Sequence, residues 1–96
     1  MTVVFHPEAE AEFLEAIDYY ESCEPGLGHD FAIEVHSAIA RIESFPAAWP
    51  SLEAGICRSL VGRFPFGVIY ACDSGVIRVL AVMHLHRDPD YWKHRS

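Results

Sequence analysis

The sequence predicts a single α+β domain over residues 1–96, ordered β-α-α-β-β-β, with a helical hairpin packed on one face of a small, mostly antiparallel sheet. Three observations carry this. Two adjacent segments repeat apolar residues at helical spacing. Three β-branched and aromatic runs with turn signals between them follow. A short run of the same kind precedes everything.

Thr2 to Phe5 is that first run and reads as a strand. Pro7 opens a helix, since its missing N–H falls where helix donors are unpaired anyway. Glu8, Glu10 and Glu12 follow near the positive end of the helix dipole. Ala9, Phe13, Ala16, Ile17 and Tyr20 form one stripe, and Glu8, Glu12, Glu15 and Asp18 are assigned to the opposite, solvated side. Pro25 and Gly26 end the helix near Cys23. The second helix starts between Gly28 and Asp30 and runs to about Ser44, with Phe31, Val35, Ala38, Ile39, Ile42 and Phe45 as its apolar stripe. Residues 45–55, with two prolines, read as a loop. Cys57–Val61, Phe66–Cys72 and Gly75–His84 read as a meander, with Asp73-Ser74-Gly75 as a hairpin turn. The run Val76 to Val82 is almost continuously apolar, so it is placed centrally with both faces covered.

Composition narrows the function classes. The net charge is −7. Residues 1–48 hold ten acids and one base, Arg41, so a phosphate backbone would be repelled there. A nucleic-acid contact is confined to the other half, through Arg58, Arg63, Arg78, Arg87, Lys93 or Arg95. No apolar stretch is long enough to span a membrane, and the first residues lack the basic region and the cleavage site of a secretory signal. Cys23, Cys57 and Cys72 form no CxxC pair and read as reduced thiols of a cytoplasmic protein, with Cys57 and Cys72 as small buried strand residues.

Chemistry-bearing residues crowd between His84 and Trp92. Strand periodicity puts His84 and His86 on one face. With Asp88 they are too few for a zinc shell, and no cofactor motif exists, so no metal or cofactor is assigned. His84, Arg87 and Tyr91 are the residue types that an RNA-cleaving acid–base site uses. A hydrogen-bonded structural cluster uses the same types. Tyr91-Trp92 follows a turn-like Asp88-Pro89-Asp90, and either caps the core or anchors a partner.

Longer strings carry a resemblance. Val4, Pro7 and Ala9 open an acidic helix that ends at Tyr19-Tyr20. Gly28-x-x-Phe31 runs through Ile42-x-x-Phe45-Pro46. Arg63-Phe64-Pro65-Phe66-x-Val68-Ile69-Tyr70 precedes Ile77-x-Val79-Leu80-Ala81-Val82-x-His84-x-x-Arg87-x-Pro89-x-Tyr91-Trp92. Over nearly the whole chain this resembles the RelE/ParE superfamily of type II toxin–antitoxin toxins, also called plasmid-stabilisation proteins. The resemblance implies a growth-inhibiting toxin held inactive by a cognate antitoxin, whose helix lies in an exposed apolar groove. RelE-like members cut mRNA on the ribosome with several basic residues and a C-terminal tyrosine. ParE-like members poison DNA gyrase and are not nucleases. Where cleaving members often carry arginine this chain has Gly67 and, near the end of the last strand, Leu85. The strand from Cys57 has Arg58 but no lysine, so only Tyr91 matches the cleaving set, with Arg87 as a substitute cation. Each missing donor removes about 3–4 kcal/mol of transition-state stabilisation.

The resemblance therefore favours the ParE-like branch, not an enzyme, with gyrase as target and Arg58, Arg63, Phe64, His86, Arg87, Tyr91 and Trp92 as candidate target or partner contacts. The alternatives are an endoribonuclease using His84, Arg87 and Tyr91 on ribosome-bound mRNA, and an inactive relic that only binds antitoxin.

Overall fold

A computed structural model describes residues 2–53 and 55–95. Strand β1 (Thr2–Phe5) leads into helix α1 (Pro7–Cys23) and helix α2 (Leu27–Ser44), followed by β2 (Ser51–Glu53), β3 (Ile56–Leu60), β4 (Phe66–Asp73) and β5 (Val76–His84). The sheet order is β1-β5-β4-β3-β2, antiparallel except for the parallel pairing of β1 with β5. The α+β prediction holds. The predicted loop at 45–55 contains one unpredicted element, the three-residue β2. Its residues are all exposed, so no apolar alternation marks it in the sequence; pairing with β3 alone creates it.

The helical hairpin is built by an acid reaching across its turn. Glu21 accepts from the N–H groups of Gly26 (2.9 Å) and Gly28 (3.1 Å), the unpaired donors at the start of α2, where negative charge is also favoured. Gly26 takes φ 88° to make the turn. At Gly28 the helices approach too closely to admit a Cβ. The β4–β5 hairpin closes through Ser74 (φ 52°) and Gly75 (φ 78°) with Asp73 paired to Val76, a two-residue loop whose twist suits the strands.

One apolar layer joins the helices to the sheet. Ala9, Phe13 and Ala16 of α1 and Phe31, Val35, Ala38, Ile39 and Ile42 of α2 pack on Val68, Tyr70, Ile77, Val79 and Val82. Phe45, assigned to the same stripe by spacing, is 67% exposed because the helix has ended before it. A second cluster, Ile69, Leu80, Ala81 and Met83, lies on the other face under Trp92. Both faces of β5 are thus covered, as its continuous apolar run requires. Strict alternation fails along β5: Ile69 pairs with Ala81 but Tyr70 pairs with Val79, leaving Leu80 as a bulge. The extra residue shifts the phase, so Val79 and Val82 both face the helices while Leu80 and Ala81 both face Trp92.

The thiols do not follow the expectation of burial. Cys72 is exposed near the hairpin end and Cys57 is only half-buried, with no disulfide formed. Among the described residues, no helix is long and apolar enough to cross a membrane.

A Cβ added at Gly28 would sit 2.5 Å from the Ile17 carbonyl oxygen and 2.9 Å from Glu21 Cβ. Gly28→Ala is therefore expected to lower the unfolding free energy by about 1–3 kcal/mol, measured by urea denaturation, because backbone must move to admit it. A wild-type midpoint would mean that the helices are not in this close register.

Candidate functional site

The site begins with an edge that β1 leaves bare. β1 pairs with β5 only as far as Phe5 with Val79. Beyond that point the outer backbone groups of β5 need other partners. The Val82 N–H donates to Glu12 Oε1 (3.2 Å), and the Leu80 carbonyl accepts from Arg95 Nη1 (3.2 Å). Glu12 and Arg95 also bind each other at 2.9 Å, with side chains 12% and 6% exposed. Glu12 was assigned to the solvated side of α1. It instead leans over the sheet edge, because one turn and a half after Pro7 the helix lies above β5.

Arg95 correspondingly leaves the list of surface cations: it is buried, with Nε 2.8 Å from Glu8 Oε2 as well. His94 Nε2 lies 3.1 Å from the same Glu8 oxygen. Slight burial raises the Glu8 pKa, but the His94 hydrogen bond and the Arg95 charge outweigh it and hold the carboxyl below its ordinary value. A chain of turns from Leu85 to Arg95 thereby straps the carboxyl-terminal residues across the sheet.

Tyr91 and Trp92 sit inside this strap. Trp92 is 1% exposed on the second apolar cluster, so as a partner contact it is corrected to a core residue. The Tyr91 ring lies between two guanidinium groups, with Arg87 Cζ 3.7 Å and Arg95 Cζ 4.8 Å from its centroid. Burial first, then the neighbouring Glu12 carboxylate, push the Tyr91 phenol well above its usual pKa despite the two arginines. Arg87 also reaches Glu12 Oε2 at 3.4 Å.

His84 ends β5 on the helix-facing side, its ring 5.2 Å from that of Phe66 and 5.2 Å from that of His86. His86 lies past the strand end, in a turn, so strand periodicity does not bring the imidazoles together; the turn does. The His86 N–H donates to His84 Nδ1 (3.1 Å). Glu12, Glu15, Ala16, Phe66, Val82, His84 and Arg87 line an open cavity of about 240 Å³. No cluster of three or more side chains able to hold a metal forms among the described residues.

The other candidates lie apart from this cavity. Arg63, at φ 68° in the β3–β4 loop, faces Asp30 (3.6 Å) and Glu34 (3.7 Å) of α2. Phe64 is packed edge-on against Tyr20 and Phe31, with centroids at 4.8 and 5.1 Å. Arg58 lies on β3, its stem laid flat over Gly67, where a Cβ would meet Arg58 Cγ and Cδ at 3.1 Å. The structure therefore unites His84, His86, Arg87 and Tyr91 and separates them from Arg63 and Phe64, while Arg58 lines a second cavity beside the strap with Pro89, Asp90 and Trp92. Sequence reasoning missed Glu12 and Arg95, which organise the united group. A helix acid and a penultimate arginine carry no local signal of pairing across 83 positions.

Glu12→Ala is expected to lower the unfolding free energy by about 3 kcal/mol, because removing one partner strands a buried charge. Lys93→Ala removes only exposed pairs with Glu53 and Asp90 and should change it by less than about 0.5 kcal/mol. Equal losses in the two variants on chemical denaturation would show that the Glu12–Arg95 pair does not pin the strap. Glu8 adds a pH signature: its contribution is present above the unfolded carboxylate pKa and lost as pH falls through the lowered folded one.

Residues 3–89 match the family described as the ParE toxin of the type II toxin–antitoxin system parDE. A search of curated proteins finds no significant match. Among solved structures, the chain is similar to one titled "Chromosomal ParDE TA system from P. aeruginosa", with a TM-score of 0.77 and 17% identity, covering 90% of this chain and 97% of that one. At that identity the likeness concerns the fold alone, which is the same helical hairpin on a mostly antiparallel sheet. The family match spans most of the chain, and the chain belongs to the ParE toxin family of type II toxin–antitoxin systems.

Proposed function

We propose that this chain stops growth by binding DNA gyrase, acts in the cytoplasm, and is neutralised by a cognate antitoxin protein. The observation that carries the choice of a protein target over RNA cleavage is the state of Tyr91 and Arg87. General acid–base work at neutral pH needs a group whose pKa lies near the operating pH and whose polar atom is free to reach substrate. The Tyr91 phenol is displaced upward, by burial first and then by Glu12, and its ring is held between Arg87 and Arg95. Arg87 is already engaged by Glu12 and so is weakened as a phosphate clamp. Gly67 and Leu85 supply no cation where cleaving members carry them. Target contacts fall to the exposed polar residues Arg63, His86 and Arg87 and to Arg58.

Neutralisation fits a partner laid along the helical hairpin. Val4 and Leu14 are exposed there, beside a cavity of about 250 Å³ lined by Phe5, Glu10, Phe13, Leu14 and His36. An amphipathic segment with spaced apolar anchors would cover that surface.

The purified chain is expected to inhibit gyrase in a supercoiling assay and to leave mRNA intact in a translation extract. Rapid mRNA cleavage with unaffected supercoiling would replace this reading with the endoribonuclease one. Tyr91→Phe keeps the ring between its arginines and removes only the hydroxyl, so growth arrest should persist within about threefold, well under the 100-fold or more that loss of a general acid or base costs.

A further inference from the structure

We propose that the cavity between the strap and β2 binds a small molecule with one carboxylate and a compact apolar body. The gyrase reading plays no part in this, since neither the cavity nor its test involves that target.

β2, β3, β5 and the strap surround a cavity of about 170 Å³ on the sheet face turned away from the helices. Leu52, Met83 and Pro89 give it an apolar lining. Drug-sized ligands occupy about 300–1,000 Å³, so only a smaller body fits here.

The charges in the lining set the charge of the occupant. Lys93 is shared between Glu53 (3.6 Å) and Asp90 (3.2 Å), and both acids line the same cavity. Arg58 also lines it and makes no ion pair among the described residues. One cation is thus left over, which matches one negative charge. The Arg58 stem lies along Gly67, where an added Cβ would meet its Cγ and Cδ at 3.1 Å. Less side-chain freedom is then lost when a ligand arrives. The planar guanidinium can donate two parallel hydrogen bonds to a carboxylate.

Trp92 points to the same ligand independently. It is 1% exposed and lines the cavity, and its Nε1–H is buried with no acceptor among the described residues. An indole N–H can only donate, and buried donors in folded proteins are nearly always paired. A carboxylate offers about four acceptor sites, enough to serve both Arg58 and the indole. A phosphate ester carries nearly two charges at neutral pH and would face Glu53 and Asp90 with only one free cation. An amine would meet Arg58 and an N–H that accepts nothing.

The test titrates the full chain with benzoate, benzamide and inorganic phosphate. Binding is read from the indole N–H resonances of Trp49 and Trp92, which Trp49→Phe tells apart. Benzoate is expected to shift the Trp92 resonance, to saturate in the millimolar range and to leave Trp49 in place. Benzamide has the same shape without the charge and should bind about tenfold more weakly. Arg58→Gln should weaken benzoate binding about tenfold, and Arg58→Lys should weaken it less. Arg41→Gln, outside the cavity, should not change it. Circular dichroism checks that each variant is folded. An unmoved Trp92 resonance, or equal affinity for benzoate and benzamide, would overturn the proposal. Unchanged benzoate binding in folded Arg58→Gln would do the same. Phosphate binding more tightly than benzoate would make the cavity a phosphate site and overturn it equally.

Discussion

A four-residue first strand sets the problem that the rest of this protein solves. β1 is too short to cover β5, and the uncovered stretch exposes an N–H at Val82 and a carbonyl at Leu80. A neutral side chain would satisfy one of them. The pair of Glu12 and Arg95 satisfies both, and each charge supplies the counter-charge that the other needs in a poorly solvated place. The pair also fixes the path of the residues just before Arg95. Arg95 reaches β5 only if the residues before it cross the second face of the sheet, and that path lays Trp92 on Ile69, Leu80, Ala81 and Met83. One ion pair thus connects the first helix, the central strands and the carboxyl terminus.

The same pair decides which residues are left for recognition. It draws Arg87 inward and fixes the Tyr91 ring between two guanidinium groups. The side chains that look like an acid–base set when read along the chain, His84, Arg87 and Tyr91, lie in space beside the Glu12–Arg95 clasp. His84 and His86 remain at its mouth, against Phe66 and open to solvent. Of the cations without an ion pair among the described residues, Arg58 lies on β3, toward the opposite edge of the sheet, Arg41 on α2 and Arg78 beside β1. Catalytic-looking density and recognition-ready charge are on different surfaces of one small domain.

The main core of this chain does not depend on this division, because it lies on the helix-facing side of the sheet. The aromatic layer of Phe13, Tyr20, Phe31, Phe64 and Phe66 between helices and strands is complete without the strap. The strap and the β2–β3 edge are therefore free to differ in charge without loss of the helical hairpin. Such freedom is consistent with a shared fold at 17% identity.

Much of the architecture is a local property of the chain. The stripe from Phe31 to Ile42 makes a helix wherever it is placed, Pro7 starts one, and Asp73-Ser74-Gly75 turns a hairpin, because each depends on spacing or on backbone freedom within a few residues. The family strings from Arg63 to Trp92 were legible for the same reason. What the amino-acid order left open is everything that joins distant residues. The parallel seat of β1, the bulge at Leu80, the existence of β2, the burial of Arg95 and the inward lean of Glu12 all follow from which edges remain bare once the layers are packed. An unpaired backbone group has no address in the sequence; it exists only after the sheet has formed, and only then does a side chain far along the chain acquire a reason to fold over it.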